Sequence, residues 1–375
     1  MSGGSSSVGP DKQGSLTKMA AAPTRQWRRL RFIPLGFAAA ALLSGLWAGL
    51  VRLGLTLPGG TPALAEFHGA LMIGGFLGTL ISLERAVALG QWWAYSAPAL
   101  GAVAALFLLA GMPWLAAAAF LLAGVALTFN SMVVVARQPA LFTVVLSVAA
   151  TYWAVGTIVW MIGRSPAEVT GWWLGFLVLT VAAERLELSR LLLPPRLSQV
   201  TFAVAVSLIV IGAARGEFNG GGAPFSGVGL LASTLWLLRH DVARRTIRQS
   251  GQTRFSAACM LAGYFWLGVA GLVLLVAPPG TTAFSYDAVV HAITIGFIFS
   301  MIFGHAPIIL PAVTGLRIKC GTAAYAPLAL LHLSVLMRIL ADLFQWIDVR
   351  TTSGPLTIIA LAGYAGALIV ASRPK

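Results

Sequence analysis

Residues 32–55 read FIPLGFAAAALLSGLWAGLVRLGL, and Arg52 is the only charged residue among them. Because an α-helix rises 1.5 Å per residue, about 20 apolar residues are enough to cross the hydrocarbon core of a bilayer. The rest of the chain has the same character: 58% of its 375 residues are hydrophobic and 10% are charged, against roughly 25% charged in a soluble domain. The sequence therefore predicts an all-α, polytopic membrane protein. It excludes a secreted disulfide scaffold, a disordered regulator and a cytosolic α/β enzyme.

Twelve apolar stretches, separated by Gly, Pro or charged residues, predict twelve transmembrane helices in a single domain over residues 32–375. The predicted helices 1 to 12 cover residues 32–55, 63–83, 94–111, 114–135, 140–162, 170–188, 198–214, 224–238, 255–277, 285–310, 322–346 and 355–372. Predicted helix 8 is short. Residues 1–31 are rich in Gly and Ser and then basic, which favours a disordered cytoplasmic tail over a cleaved signal peptide.

The basic residues predict the topology. The net charge is +14, and the bilayer rather than a nucleic acid accounts for it, because cytoplasmic loops of membrane proteins are enriched in Lys and Arg. With the N-terminus inside, 20 of the 25 Lys and Arg fall in cytoplasmic segments. The five on the outer side are Arg52, Arg164, Arg215, Arg338 and Arg350. Both termini are therefore predicted to be cytoplasmic. Cys259 and Cys320 lie far apart near predicted helix ends, and we expect free thiols.

Predicted helices 2, 6 and 10 share a local pattern. They contain Gly75-Phe76-Leu77, Gly175-Phe176-Leu177 and Gly296-Phe297-Ile298, each followed nine residues after the Gly by Glu84-Arg85, Glu184-Arg185 and His305-Ala306. The spacing of four helices suggests three four-helix units in a pseudo-threefold arrangement. The alternative is chance, because Gly is frequent in membrane helices.

Four of the five histidines lie inside predicted helices, and ionisable residues there are costly and usually functional. From the helical rise, His68 and His291 both lie roughly 8–9 Å from the outer surface. His305 and His332 lie at a second, deeper level. The sequence thus predicts two level-matched pairs, with all four histidines as candidate metal ligands. His240, in Arg239-His240-Asp241, is interpreted as a solvated loop residue.

Paired neutral imidazoles suit haem iron or copper, although a membrane histidine often only bonds a neighbouring helix. Asp287, one turn before His291, is a candidate acceptor for its second N–H. Arg338 is a candidate partner for a haem propionate, and the alternative is an ion pair with Asp342, one turn away. We further predict that His305 and His332 approach closely enough to share one ion or one water.

The runs Phe67-His68-Gly69-Ala70-Leu71-Met72-Ile73-Gly74-Gly75-Phe76 and His291-Ala292-Ile293-Thr294-Ile295-Gly296, with Met301, Gly304-His305, Leu331-His332 and Arg338, resemble the NnrS family. That resemblance implies a distant relationship to haem–copper oxidase catalytic subunits, a bacterial inner-membrane location, a b-type haem with or without copper, and a role in nitric oxide metabolism or nitrosative stress. It places the haem between His68 and His291.

This sequence departs from the oxidase pattern because predicted helices 6 and 7 contain no histidine. A three-histidine copper site and proton-pumping oxygen reduction are therefore not expected. The leading hypothesis is an NnrS-type haem protein that handles a small gaseous or redox ligand, with a haem-dependent oxidoreductase, a scavenger and a sensor as its open forms. One alternative is an electron carrier served by a quinol or an electron-donor protein. The other is a small-molecule or metal transporter that uses the membrane histidines.

Overall fold

The computed structural model describes residues 31–192, 195–218, 221–314, 317–318 and 321–373, and these are almost entirely helical. The predicted tail, apart from Arg31, lies outside the described residues, and so does Cys320. Cys259 is buried in the helix Gly251–Val276. The prediction of an all-helical protein is confirmed for the described part of the chain.

Long helices follow one another along the described chain, and we number them α1 to α12. They cover Phe32–Arg52, His68–Leu89, Trp92–Leu109, Pro113–Arg137, Leu141–Met161, Pro166–Ser189, Arg196–Ala214, Ala223–His240, Gly251–Val276, Ser285–Pro311, Thr322–Phe344 and Ile347–Ala371. All except α8 are long and apolar enough to cross a membrane, which gives eleven candidate spans among the described residues.

Helix α8 differs from the others in composition. It has 18 residues and ends with Arg239 and His240, and Ser226, Ser233 and Thr234 add polar groups to its buried face. The predicted eighth span, 224–238, is thus a helix, but it is not apolar enough to count as a candidate span. The count of twelve membrane crossings therefore remains a prediction.

Small residues allow the helices to pack closely, as is usual in membranes. A Cβ on Gly124 of α4 would lie 3.0 Å from the backbone nitrogen of Ala154 on α5. In the centre, α2 and α10 meet where the rings of Phe76 and Phe299 stack with centroids 6.2 Å apart. Helix α6 packs beside them, and Arg85 of α2 forms an ion pair with Glu184 of α6. The three helices with the shared sequence pattern are therefore neighbours.

Residues near the end of the chain pair with the loop after α10. Arg317–Ile318 form a short antiparallel pairing with Ser372–Arg373, so this loop and the end of α12 lie on the same face of the bundle. Arg85 and Glu184, near the ends of α2 and α6, lie toward this face, which we call the inner end, following the predicted topology. The opposite face is the outer end.

Candidate functional site

A cavity opens at the outer end between α1, α2, α6, α10, α11 and α12, and both histidines of the predicted outer pair line it. Its walls are mostly apolar, with polar side chains near the mouth. It extends inward from His291 to Phe299, which is about 12 Å along α10. The structure thus brings His68 and His291 to one cavity, as the sequence predicted from their common depth.

His68 is held by α1. Its Nδ1 lies 2.7 Å from the backbone carbonyl oxygen of Gly45. A Cβ on Gly49 would lie 2.8 Å from His68 Cε1, so the absence of a side chain at Gly49 makes room for the imidazole. Helix α2 begins at His68 itself, after a short helix, Pro62–Glu66, and the non-helical residue Phe67.

His291 has the same arrangement within its own helix. Its Nδ1 lies 2.7 Å from the backbone carbonyl oxygen of Asp287. Because a carbonyl oxygen can only accept, the Nδ1 atoms of neutral His68 and His291 both carry the proton. Each Nε2 then presents a lone pair, and within the described part of the chain neither Nε2 has a hydrogen-bond partner. This is the orientation that ligating imidazoles adopt. Asp287 thus supplies the predicted acceptor through its backbone rather than its carboxylate.

Both histidines precede a π-helical segment. The segments are Leu71–Gly78 in α2 and Ala292–Phe299 in α10, and in each the fifth residue is the Gly of the shared Gly-Phe pattern. Stretches of π-helix are rare and are often found at functional sites. The corresponding pattern in α6 lies in an uninterrupted α-helix, Pro166–Ser189. The likeness between α2 and α10 therefore extends to backbone geometry, and α6 does not share it.

Two arginines and two aspartates form a buried ion network beside the cavity. Arg338 Nε lies 2.9 Å from Asp342 Oδ2, and Arg350 Nε lies 2.8 Å from Asp342 Oδ1. Asp287 Oδ2 lies 2.5 Å from Arg350 and 3.6 Å from Arg338. The Arg338–Asp342 pair, left open as an alternative in the sequence, is formed. Arg338 also lines the cavity.

Sequence reasoning missed two arginines of this region. Arg350 joins the network from α12, and its guanidinium lies 4.2 Å from the ring centroid of Phe284. Arg52 lines the cavity from the end of α1. The charge pattern of the sequence could have identified them. Arg52, Arg338 and Arg350 are three of the five basic residues that depart from the positive-inside pattern. The other two, Arg164 and Arg215, lie elsewhere at the outer end.

The predicted inner pair does not form. His305 Nε2 lies 2.5 Å from Arg185 Nη2, and its Nδ1 lies 2.8 Å from the backbone oxygen of Met301. His332 instead accepts a hydrogen bond at Nδ1 from Trp266 Nε1, at 2.9 Å, and stacks on that indole. Both nitrogens of His305 are thus occupied, and the partners of the two histidines lie on different helices.

Contacts with α12 give the reason. Ser334 of α11 lies level with Thr357, and their hydroxyl oxygens are 2.9 Å apart. Phe303 of α10 lies level with Tyr364. The two rings stack, and the backbone oxygen of Phe303 accepts a hydrogen bond from the Tyr364 hydroxyl. Thr357 and Tyr364 are separated by about 10 Å of helix. His332 lies two residues to the inner side of Ser334, and His305 lies two residues to the inner side of Phe303. The two histidines are therefore offset by about 10 Å along the bundle. The depth estimate failed because helix ends do not fix how far adjacent helices are shifted.

At the inner end, the shared pattern forms a chain of contacts. Arg85 of α2 pairs with Glu184 of α6, and Arg185 of α6 contacts His305 of α10. The arginine of the pattern in one helix thus contacts the polar residue that follows the Gly by nine positions in the next helix with the pattern. In α10 this arginine is replaced by Ala306. Arg185 also lies 3.9 Å from Asp241, so His305 belongs to a structural polar cluster.

No group of three or more His, Cys, Asp or Glu suited to a metal ion is present in the described ranges. The family comparison matches residues 29–373 to a family described as Domain of unknown function (DUF8744). The chain belongs to this family. The match covers α1 to α12 and thus every residue that lines the cavity. No curated protein and no solved structure matches the chain.

Proposed function

We propose that this protein is a haem-binding protein of the bacterial inner membrane, of the NnrS type, in which His68 and His291 would hold the haem. The observation that carries the proposal is the matched pair of histidines with their Nδ1 atoms bonded to backbone carbonyls and their Nε2 lone pairs free in one cavity. Both termini would be cytoplasmic, with twelve spans in a pseudo-threefold arrangement. The contacts among α2, α6 and α10 support that arrangement.

The number of ligands favours haem over a bare metal ion. Zinc and copper sites in proteins usually need three or four side-chain ligands, and among the described residues no group of three or more His, Cys, Asp or Glu could hold a metal ion. Haem needs only axial ligands from the protein, because the porphyrin provides the other four nitrogens. The donor set therefore fits haem, and we do not extend the proposal to copper.

Other cavity residues have complementary roles. Arg52 and Arg338 lie on the cavity wall, where their guanidinium groups can bind the carboxylates of haem propionates. The carbonyl oxygens of Gly45 and Asp287 hold the two imidazoles in orientation. Apolar side chains from α1, α2 and α10 line the inner part of the cavity, where they would keep water away from a bound haem. When bound, haem would supply one-electron chemistry and an iron able to bind small gaseous ligands.

The physiological role would be in nitric oxide metabolism or the response to nitrosative stress. A second candidate is an electron carrier between a quinol and an acceptor protein. The electron-carrier function is favoured because both ring nitrogens of His305 have hydrogen-bond partners. The level of His305 then offers no second metal centre. Two histidines, His68 and His291, on one iron would favour electron transfer over the binding of a small ligand.

The visible spectrum of the purified full-length protein tests the proposal. We expect a low-spin Soret spectrum that is lost in both His68→Ala and His291→Ala and kept in the matched control His240→Ala. Absence of a Soret band after haem supplementation would overturn the proposal and favour the transporter alternative. Addition of nitric oxide to the reduced protein separates the two haem functions: a spectral shift supports the NnrS role, and an unchanged spectrum with rapid reduction by quinol supports electron transfer.

A further inference from the structure

A basic surface pocket lies at the inner end, between the loop that joins α6 to α7 and the loop that joins α8 to α9. It is lined by Leu192, Pro195, Arg239, His240, Asp241, Arg244, Arg245 and Arg248. We call it the arginine pocket. It lies at the level where α8 ends and α9 has not yet begun, which is the boundary between bilayer and water in the predicted topology.

The charge of the arginine pocket is not neutralised. Arg239, Arg244, Arg245 and Arg248 are exposed, and among the described residues none of the four forms an ion pair. Asp241, the one acidic residue in the lining, is turned inward and is only 2% exposed. Its Oδ1 accepts a hydrogen bond from the backbone N–H of Ala243, at 2.6 Å. Its Oδ2 faces Arg185, 3.9 Å away.

One residue of the arginine pocket, His240, is held by hydrogen bonds and a ring contact. His240 Nε2 lies 3.0 Å from the hydroxyl oxygen of Ser198, and its Nδ1 lies 3.0 Å from the backbone oxygen of Trp236. The imidazole also stacks on the Trp236 indole, with ring centroids 4.8 Å apart. His240 is therefore tied to α7 and α8, rather than being the solvated loop residue that the sequence suggested.

An exposed apolar surface adjoins the arginine pocket on its membrane side. Leu197 and Val200 of α7 are 74% and 56% exposed, and Leu235 of α8 is 68% exposed. These side chains lie within two to three turns of the pocket on the helices that form its edge. Such a surface suits acyl chains, and a soluble anion would make no use of it.

We infer that the arginine pocket binds the phosphodiester headgroup of an anionic phospholipid, whose acyl chains lie along α7 and α8. Guanidinium groups bind phosphate oxygens in a bidentate manner. Basic pockets between helices on the cytoplasmic side are suited to anionic lipid headgroups. The inward turn of Asp241 leaves four arginines to face one phosphate, and the adjoining apolar surface selects a lipid over free phosphate. This site is separate from the cavity that contains His68 and His291.

Lipid retention by the purified full-length protein, measured by native mass spectrometry, tests this inference. We expect phosphatidylglycerol to be retained in preference to phosphatidylcholine. In the double variant Arg244→Gln/Arg248→Gln, the affinity for phosphatidylglycerol should fall about 30-fold, since each arginine near an anionic surface contributes about a factor of five. The single variant Arg245→Gln should show about a fivefold loss if the double variant is poorly folded.

The matched control is Arg137→Gln/Arg254→Gln, which removes the same charge from exposed arginines outside the pocket. It should retain phosphatidylglycerol as the unmodified protein does. Equal losses in the two double variants would show a general charge effect and overturn the inference. Displacement of the lipid by millimolar inorganic phosphate would identify free phosphate as the ligand and would also overturn it. Neither result bears on the haem proposal.

Discussion

The backbone carbonyl oxygen of Gly45 on α1 lies 2.7 Å from Nδ1 of His68 on α2, and it fixes which nitrogen of the imidazole faces the cavity. His291 achieves the same orientation through the carbonyl oxygen of Asp287. One histidine thus depends on a neighbouring helix, whereas the other depends on its own. Changes in α1 should therefore act on the site through His68.

Gly49→Ala should displace the His68 imidazole. The new Cβ would lie 2.8 Å from Cε1 and 3.0 Å from Nδ1 of His68, closer than van der Waals contact allows. We expect haem occupancy, measured as Soret absorbance per protein, to fall severalfold. Gly36→Ala on the same helix is the control, because nothing lies within 4 Å of its Cβ. Equal Soret absorbance in the two variants would contradict this role of Gly49.

Arg350→Ala should strongly destabilise the protein. It removes the partner that lies 2.8 Å from Asp342 and 2.5 Å from Asp287, and breaking a buried ion pair costs about 3–5 kcal/mol. Arg164→Ala breaks an ion pair whose arginine side chain is 61% exposed, and it should cost under about 1 kcal/mol. Thermal unfolding in detergent compares the two. Similar midpoints would mean that the network does not stabilise the fold.

The carboxyl group of Glu217 should make stability depend on pH. Glu217 lies between α7 and α8, and burial raises its pKa from 4.5 to about 7. The folded protein therefore holds this proton up to about pH 7, whereas the unfolded chain releases it near pH 4.5. The resulting stabilisation is complete below pH 4.5 and is lost as the pH rises through 7.

Glu217→Gln should remove this dependence and stabilise the protein at pH 8 by about 3 kcal/mol. Unfolding midpoints between pH 4 and pH 8 provide the measurement. The control is Glu187→Gln, because Glu187 is exposed at the inner end. If Glu217→Gln and the unmodified protein show parallel pH profiles, the carboxyl group is already ionised in the folded state.

His305→Ala should lower stability without changing the visible spectrum. It removes the acceptor that Arg185 contacts, and an unsatisfied buried donor costs about 1–3 kcal/mol. His305 is about 21 Å along α10 from His291, so the outer site should keep its low-spin spectrum. Loss of the Soret band with normal stability would instead make His305 a ligand.

The sequence by itself determined the helices and much of the site. Long apolar runs must become helices in a bilayer, because every backbone polar group needs a partner inside its own segment. The helical rise then gave His68 and His291 a common depth. The charge pattern also contained information that sequence reasoning left unused, since Arg52, Arg338 and Arg350 are exceptions to the positive-inside rule.

Only the tertiary structure decided how the helices are rotated and shifted against one another. Local sequence fixes the rise along each helix, but contacts between helices set their relative depth, and those contacts place His305 and His332 about 10 Å apart along the bundle. Two contacts join residues that are distant in the chain: the Gly45 carbonyl with His68, and Arg350 with Asp287. The inward orientation of Asp241 depends on a local backbone turn. Packing of small residues selects such contacts, and no periodicity in one segment encodes them.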